Sequence, residues 1–350
     1  MNKGKEFTVI KYSDDYKERW KKFWSEKHQC SLYHSIPWLE FSCHIFKCEN
    51  ESVICLKSNG DIIGILPLLS KTKGKGKYFV SAPFRDRGGI VAKTEEIGKV
   101  LFEKFLEILS PKDKFLIKII DDNEKKYYPD VFCFNSGKIR SILNINKDLN
   151  EIWSGISPKA RNHYRKGEKK GLMFKRLNVE EHVLEFEKLL LKTRKNIGTL
   201  TYPQNYFSKM YHYLGDNFMK LFSVSNNGEV LAMVVAHTYK ESIVYAYAVY
   251  NFQFVNKYSL NDFMVWNIIK WGVENNFKIV DFAADRKKNK GVIDFKKKYA
   301  DKQLECYSIR NFDIDETSIK FENTIKLFVK FIPTSLLQKM SNLIVPRYFI

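Results

Sequence analysis

Apolar residues in this chain recur with two periods, and the alternation between them predicts a mixed α/β protein. Phe7 to Tyr12 alternates as a strand does, and Ser13 then opens a helix with Tyr16, Trp20, Phe23 and Trp24 on one face. A second helix is expected from Ser35, with Pro37 in its first turn and Trp38, Leu39 and Phe41 following. Ser52 to Lys57 and Asp61 to Leu69 read as a hairpin about Asn59-Gly60. A Gly/Lys loop at Lys71 to Lys77 and an irregular polar segment at Phe84 to Gly89 come next. A helix near Ile97 to Leu109 and a strand at Phe115 to Ile120 complete a first unit.

The pattern turns polar at Asn144 to Asn150, where a domain boundary is expected. The division is 1–147, 148–312 and a C-terminal helical segment 313–350 that packs back on the first domain. The second half repeats the alternation: strand Leu172 to Leu177, helix Val179 to Lys195, helix Tyr206 to Leu214 and strand Met219 to Val224. Asn227-Gly228 turns into strand Glu229 to Tyr239, followed by strand Ile243 to Tyr250, a loop Asn251 to Lys257 and a helix Ser259 to Asn275. Strands at Lys278 to Ala283 and Leu304 to Arg310 close the set. Two similar successions suggest a duplicated α/β domain, each copy a mixed twisted sheet flanked by helices.

Composition changes this picture little. At 350 residues, 44% of them hydrophobic and 15% aromatic, the chain has material for two cores. The formal charge of +19 draws polyanions such as nucleic acid, anionic lipid or phosphorylated precursors, although a lysine-rich composition explains it equally well. No secretory pattern opens the sequence, and the longest apolar run, Ile62 to Leu69, is short of the roughly 20 residues of a spanning helix. A cytoplasmic protein is expected. Six cysteines without a CxxC pair and seven scattered histidines offer no metal-ligand spacing, so no metal is assigned. Serine-hydrolase, P-loop and zinc-protease signatures are missing.

Three stretches carry candidate chemistry. In Trp153 to Gly171, Ser157 caps a helix, Pro158 takes its first position and Gly171 ends it. Arg161, Arg165 and Lys169 then share one face, which suits a phosphate or carboxylate or, equally, water. In Ile243 to Asn275, a strand runs through a loop into a helix N-terminus, the order that holds a donor's phosphates in GNAT acyltransferases. The loop Phe252-Gln253-Phe254-Val255 lacks glycine, which counts against close approach of an ordinary CoA pyrophosphate. Tyr245 and Tyr247 alternate on one face of the strand, opposite Ala246 and Ala248, as packing or as substrate contacts. In Lys278 to Ala300, Asp281 ends an apolar strand as a base or as a loop-structuring carboxylate, and Lys296 can offset a developing oxyanion.

These residues, taken in order, resemble FemAB-type proteins. The likeness rests on Trp38 after a Ser-x-Pro start, Lys159-Ala160-Arg161-Asn162-x-x-Arg165-Lys166, Gly171 and the Tyr-Ala-Tyr-Ala strand. Tyr258-Ser259-Leu260, Trp266, Trp271, Asp281-Phe282 and Gly291 with Phe295-Lys296 extend it. The resemblance implies two tandem GNAT-like domains and transfer of an acyl or aminoacyl group to an amine in peptidoglycan-precursor or surface-polysaccharide synthesis. It places Lys296 in the transfer and Arg161, Arg165, Tyr245, Tyr247, Tyr258, Phe295 and Trp38 about the substrate. The donor it implies is acyl-CoA or aminoacyl-tRNA, with no tightly bound cofactor, and the acceptor a small or lipid-linked envelope precursor. The lysine that follows the tryptophan in muropeptide-binding members is absent from Leu39 to Cys43, so that acceptor is not carried over. The contrasting reading is a non-catalytic module binding anionic glycan or nucleic acid through the Arg161–Arg165–Lys169 face. The tail Thr324 to Ile350 is amphipathic, and contact with an anionic membrane surface is the lesser alternative to docking on the first domain.

Overall fold

The computed structural model describes residues 7–27, 29–119, 122–313 and 328–347. The chain divides into two compact units. Among the described residues, the first holds those up to Lys138 with 304–313 and 346–347, and the second holds 139–303 and 328–345.

The first unit begins with β1 (Phe7–Lys11), α1 (Lys17–Glu26), α2 (Ile36–Phe46) and the short β2 (Glu49–Asn50). It continues with β3 (Val53–Lys57), β4 (Ile62–Leu66), β5 (Leu69–Lys73), β6 (Gly76–Val80), β7 (Val91–Ala92), α3 (Glu95–Glu107) and β8 (Lys114–Ile119). Ser35 caps α2 by accepting from the Trp38 N–H, as the Ser-x-Pro pattern predicts. β1, β3, β4 and β7 form one sheet, while β8 pairs in parallel with β6, which pairs antiparallel with β5. Helix α3 closes on this core because Gly64 has no side chain: a Cβ there would lie 2.7 Å from Ile97 and 2.8 Å from Leu101. The segment expected as a Gly/Lys loop is the β5–β6 hairpin, whose polar outer half hides its strand character.

Strand β9 (Cys133–Asn144) was not foreseen, and the division between units falls inside it, upstream of the polar junction at 144–150. The second unit then runs α4 (Leu149–Gly155), α5 (Pro158–Lys169), β10 (Met173–Leu177), α6 (Val179–Ile197), α7 (Tyr206–Phe218) and β11 (Met219–Asn226). After these come β12 (Glu229–Tyr239), β13 (Ser242–Tyr250), α8 (Phe252–Tyr258), α9 (Leu260–Glu274), β14 (Ile279–Arg286), α10 (Lys290–Lys297) and β15 (Lys302–Arg310), whose later residues belong to the first unit. Strands β10 to β13 are antiparallel in sequence order, and β14 joins β13 in parallel. One core lies on the α5 and α9 side of this sheet, with Phe222, Val234, Phe263, Met264, Ile268 and Phe282 all nearly inaccessible.

The tail departs from expectation. Helix Thr334–Ile344 packs on α6 of the second unit, where the Ser341 hydroxyl accepts from the Thr201 N–H at 3.1 Å and Asn342 Oδ1 from the Gln204 N–H at 2.8 Å. This helix docks on the second unit, while Pro346 after it belongs to the first, its carbonyl accepting from Lys71 at 2.9 Å. Ile325 and Lys326, part of the amphipathic pattern read from the sequence, lie outside the described residues.

Candidate active site

The opening in the second sheet originates in one extra residue. In β13, Tyr245 faces Ala236 of β12 and Tyr247 faces Val235, so Ala246 has no opposite number and forms a bulge. A bulge reverses the alternation. Tyr245 turns toward the α9 side beside Phe282, whereas Tyr247 packs among Tyr202, Phe207 and His237 on the other face. The expected sharing of one face is therefore corrected, and Tyr247, 6% exposed, is a core residue.

The bulge begins where β13 and β14 part. The two strands pair only over Ser242–Val244 against Ile279–Asp281, yet β13 continues to Tyr250 and β14 to Arg286. Ala283 of β14 has a left-handed backbone (φ 56°) just past the parting of the strands, and Ser259, before α9, has one too (φ 56°). Such conformations are costly and gather at functional sites.

Asp281 holds the base of the gap. Its carboxylate accepts from Arg140 of β9 (Nε at 3.0 Å to each oxygen, Nη2 at 2.5 Å) and from the Ala283 N–H at 2.9 Å. Both side chains are buried, 8% and 4% exposed. A carboxylate matched by a guanidinium is a poor proton acceptor, so the expected base is a positioning residue instead. Lys296, on α10, donates to the carbonyls of Phe282 and Ala283 and pairs with Asp285. Its ammonium therefore sits on the turn that carries β14 away from β13. Phe295 lies beside Tyr299, with Lys298 over its ring at 4.7 Å.

The basic face of α5 is not the anion clamp its spacing suggests. Arg161 turns back to the end of α4, donating to the carbonyls of Trp153, Ser154 and Ile156 at 3.2, 3.0 and 2.6 Å, and is thereby committed to a helix end. Arg165 is exposed and stacks over Trp153. The loop expected at Asn251 to Lys257 is helix α8, whose last carbonyls take Lys166 (to Asn256, 3.1 Å) and Lys170 (to Lys257, 2.7 Å). Tyr258 closes this corner against Asn226 and Lys170. Trp38 belongs to the first unit's interior, 1% exposed between Tyr33 and the Arg85 guanidinium, which leaves it no surface for a substrate.

The structure brings together a second set that sequence reasoning missed. Gly167 lets α5 approach α9 (a Cβ there would meet Phe263 at 2.7 Å), and His163, one turn earlier on that face, reaches Asp262 in the first turn of α9. His163 Nδ1 lies 2.7 Å from Asp262 Oδ2, while Oδ1 accepts from Tyr299 (2.7 Å) and Lys298 (3.0 Å). Rings of Tyr299 and Tyr245 both neighbour Phe282, and the Tyr245 hydroxyl is 3.0 Å from that of Tyr250. Burial, with the Asp262 charge, drives the Tyr299 hydroxyl far above its ordinary range; burial does the same for Tyr245 and pushes Tyr250 up to about 12. All three stay protonated at neutrality. The available signal was the Ala160, His163, Tyr164, Gly167 spacing, which marks a packed face holding one polar residue.

Residues 158–297 match the family model of an acetyltransferase (GNAT) domain. This segment is thus similar to GNAT acetyltransferase domains. The crystal structure of FemX superposes at a TM-score of 0.68 with 14% identity, covering 90% of this chain and 99% of that one. L-PGS from Bacillus licheniformis gives 0.57 at 16% identity, over 88% and 96%. A tandem GNAT protein from the clavulanic acid biosynthesis pathway gives 0.54 at 10%, over 89% and 100%. The chain has the tandem-GNAT fold. A comparison with curated proteins by sequence returns no match. Among the described residues, no group of three or more His, Cys, Asp or Glu is placed to hold a metal, and no helix is long and apolar enough to cross a membrane.

Proposed function

We propose that the second unit transfers an acyl or aminoacyl group to an amine of a cell-envelope or surface-glycan precursor, in the gap between β13 and β14. The observation that carries this reading is the pairing of those strands over three residues only, with the bulge at the point of parting. The acyl chain lies between the strands, where polar backbone left unpaired by the split can hold its carbonyl. Lys296 keeps the Phe282–Ala283 turn in shape and supplies positive charge near the developing oxyanion. The donor is acyl-CoA or aminoacyl-tRNA; α8, in place of a glycine loop, favours a donor whose phosphates do not need close backbone approach. The rival binding-module reading loses support because Arg161 is spent on the end of α4.

Thermal shifts of the full chain with acetyl-CoA, longer acyl-CoAs and charged tRNA test the donor, and Lys296→Met tests the site. Lys296→Met should lower transfer roughly 10²–10³-fold with the fold retained. Full activity in that variant removes Lys296 from the reaction, and no shift with any donor removes the transferase reading.

A further inference from the structure

An amine attacks only when neutral and must lose a proton on becoming an amide, so the site needs a basic atom with access to the acceptor. Asp281 and Lys296 do not qualify, because each already faces an opposite charge. His163 does. Its side chain is 35% exposed while that of Asp262 is 6% exposed, so the imidazole reaches solvent from a buried carboxylate. With Nδ1 donating to Asp262, the lone pair of the neutral ring sits on Nε2. Tyr299 and Lys298 occupy the other carboxylate oxygen, which fixes the carboxylate in the plane that His163 meets. Tyr299 in turn packs on Phe282, the β14 residue that also neighbours Tyr245 at the mouth of the gap.

We infer that His163 is the proton acceptor for the attacking amine, with Asp262 as its positioning residue. This rests on the transferase reading of the same unit. The amine nitrogen forms a bond to the acyl carbon and the ester or thioester bond to the donor breaks. One proton passes from the nitrogen to Nε2 and on to the departing oxygen or sulfur, so no other reactant is required. The charged and titratable groups around the imidazole are Asp262 from α9, Lys298 and Tyr299 beyond α10, and Lys159 and Lys166 one turn either side on α5.

The test is single-turnover transfer by the full chain from acetyl-CoA or alanyl-tRNA to glucosamine and to a lysine-containing pentapeptide, over a pH series. His163→Gln should lower the rate about 10²–10³-fold with KM little changed, leaving the acidic limb that protonation of the acceptor amine itself sets. Imidazole in the buffer should restore part of the rate of His163→Gly. Asp262→Asn should give an intermediate loss. A His163→Gln rate within threefold of the parent overturns the inference, as does a slowed His163→Gly variant that imidazole does not rescue. If Lys296→Met is inactive while His163→Gln is active, the inference alone fails. If the parent transfers from neither donor, both readings fail.

Discussion

The Arg140–Asp281 pair makes a quantitative demand on the second unit. Asp281 receives three contacts of 2.5–3.0 Å from one guanidinium and another, at 2.9 Å, from a backbone N–H. Arg140→Met would leave that carboxylate buried without its guanidinium. Removing one partner of such a pair costs about 3–5 kcal/mol. For a unit of this size the cost corresponds to a fall in Tm of roughly 6–20 °C. Arg140→Met with Asp281→Leu removes both charges and should recover most of the loss. The assay is urea unfolding of the parent, the two single variants Arg140→Met and Asp281→Leu, and the double variant, followed by hydrogen exchange in peptides spanning 139–144 and 279–286, so that the transition belongs to the second unit. A coupling energy of about 2 kcal/mol or more supports the account. A coupling below about 0.5 kcal/mol refutes it and reopens Asp281 as a carboxylate available for proton transfer.

Two further predictions concern residues outside the proposed chemistry. Arg161→Ala should destabilise the chain by about 1–2 kcal/mol through the end of α4 while leaving donor and acceptor KM within twofold; a tenfold rise in KM would return Arg161 to the substrate. Lys118 donates to the Ala82 carbonyl, and burial, with Lys138 nearby, lowers its pKa from 10.5 to about 7. Between those values the unfolded chain binds a proton that the fold does not, so stability should rise with pH from about 7 to about 10, by at most ~1.4 kcal/mol per unit. Lys118→Met should flatten that slope in denaturation curves taken at pH 7, 8 and 9, and an equal slope in both proteins would count against the buried amine.

What was legible in the sequence is what local chemistry dictates. Helix α5 could be placed by Ser157, Pro158 and Gly171, and Ser157 does cap it, accepting from the Ala160 N–H. Strands flanking Asn227-Gly228 announce themselves by their turn. Helix α8 was read as a loop because its own sequence does not cap it; lysines from α5 satisfy its carbonyls. Helix α10 carries little apolar pattern in its sequence, because Ile293 is its one buried residue. The pairing of His163 with Asp262 spans 99 positions, and neither residue carries a local mark of the other. Tyr-Ala-Tyr-Ala reads as plain alternation, since a register shift depends on the neighbouring strand. The misreadings share a cause: partners supplied by distant chain outvoted the local pattern.

The single unpaired residue at Ala246 has a consequence for how this chain tolerates change. In most strands the identity of a side chain matters and the count of residues is fixed by the turns. Here the count itself builds the bulge, since one residue fewer would remove the extra place at Ala246 and restore unbroken pairing of β13 with β12. Insertions or deletions between Val244 and Tyr247 should therefore disturb this part of the sheet more than a substitution of Ala246 does, while sparing every residue around it.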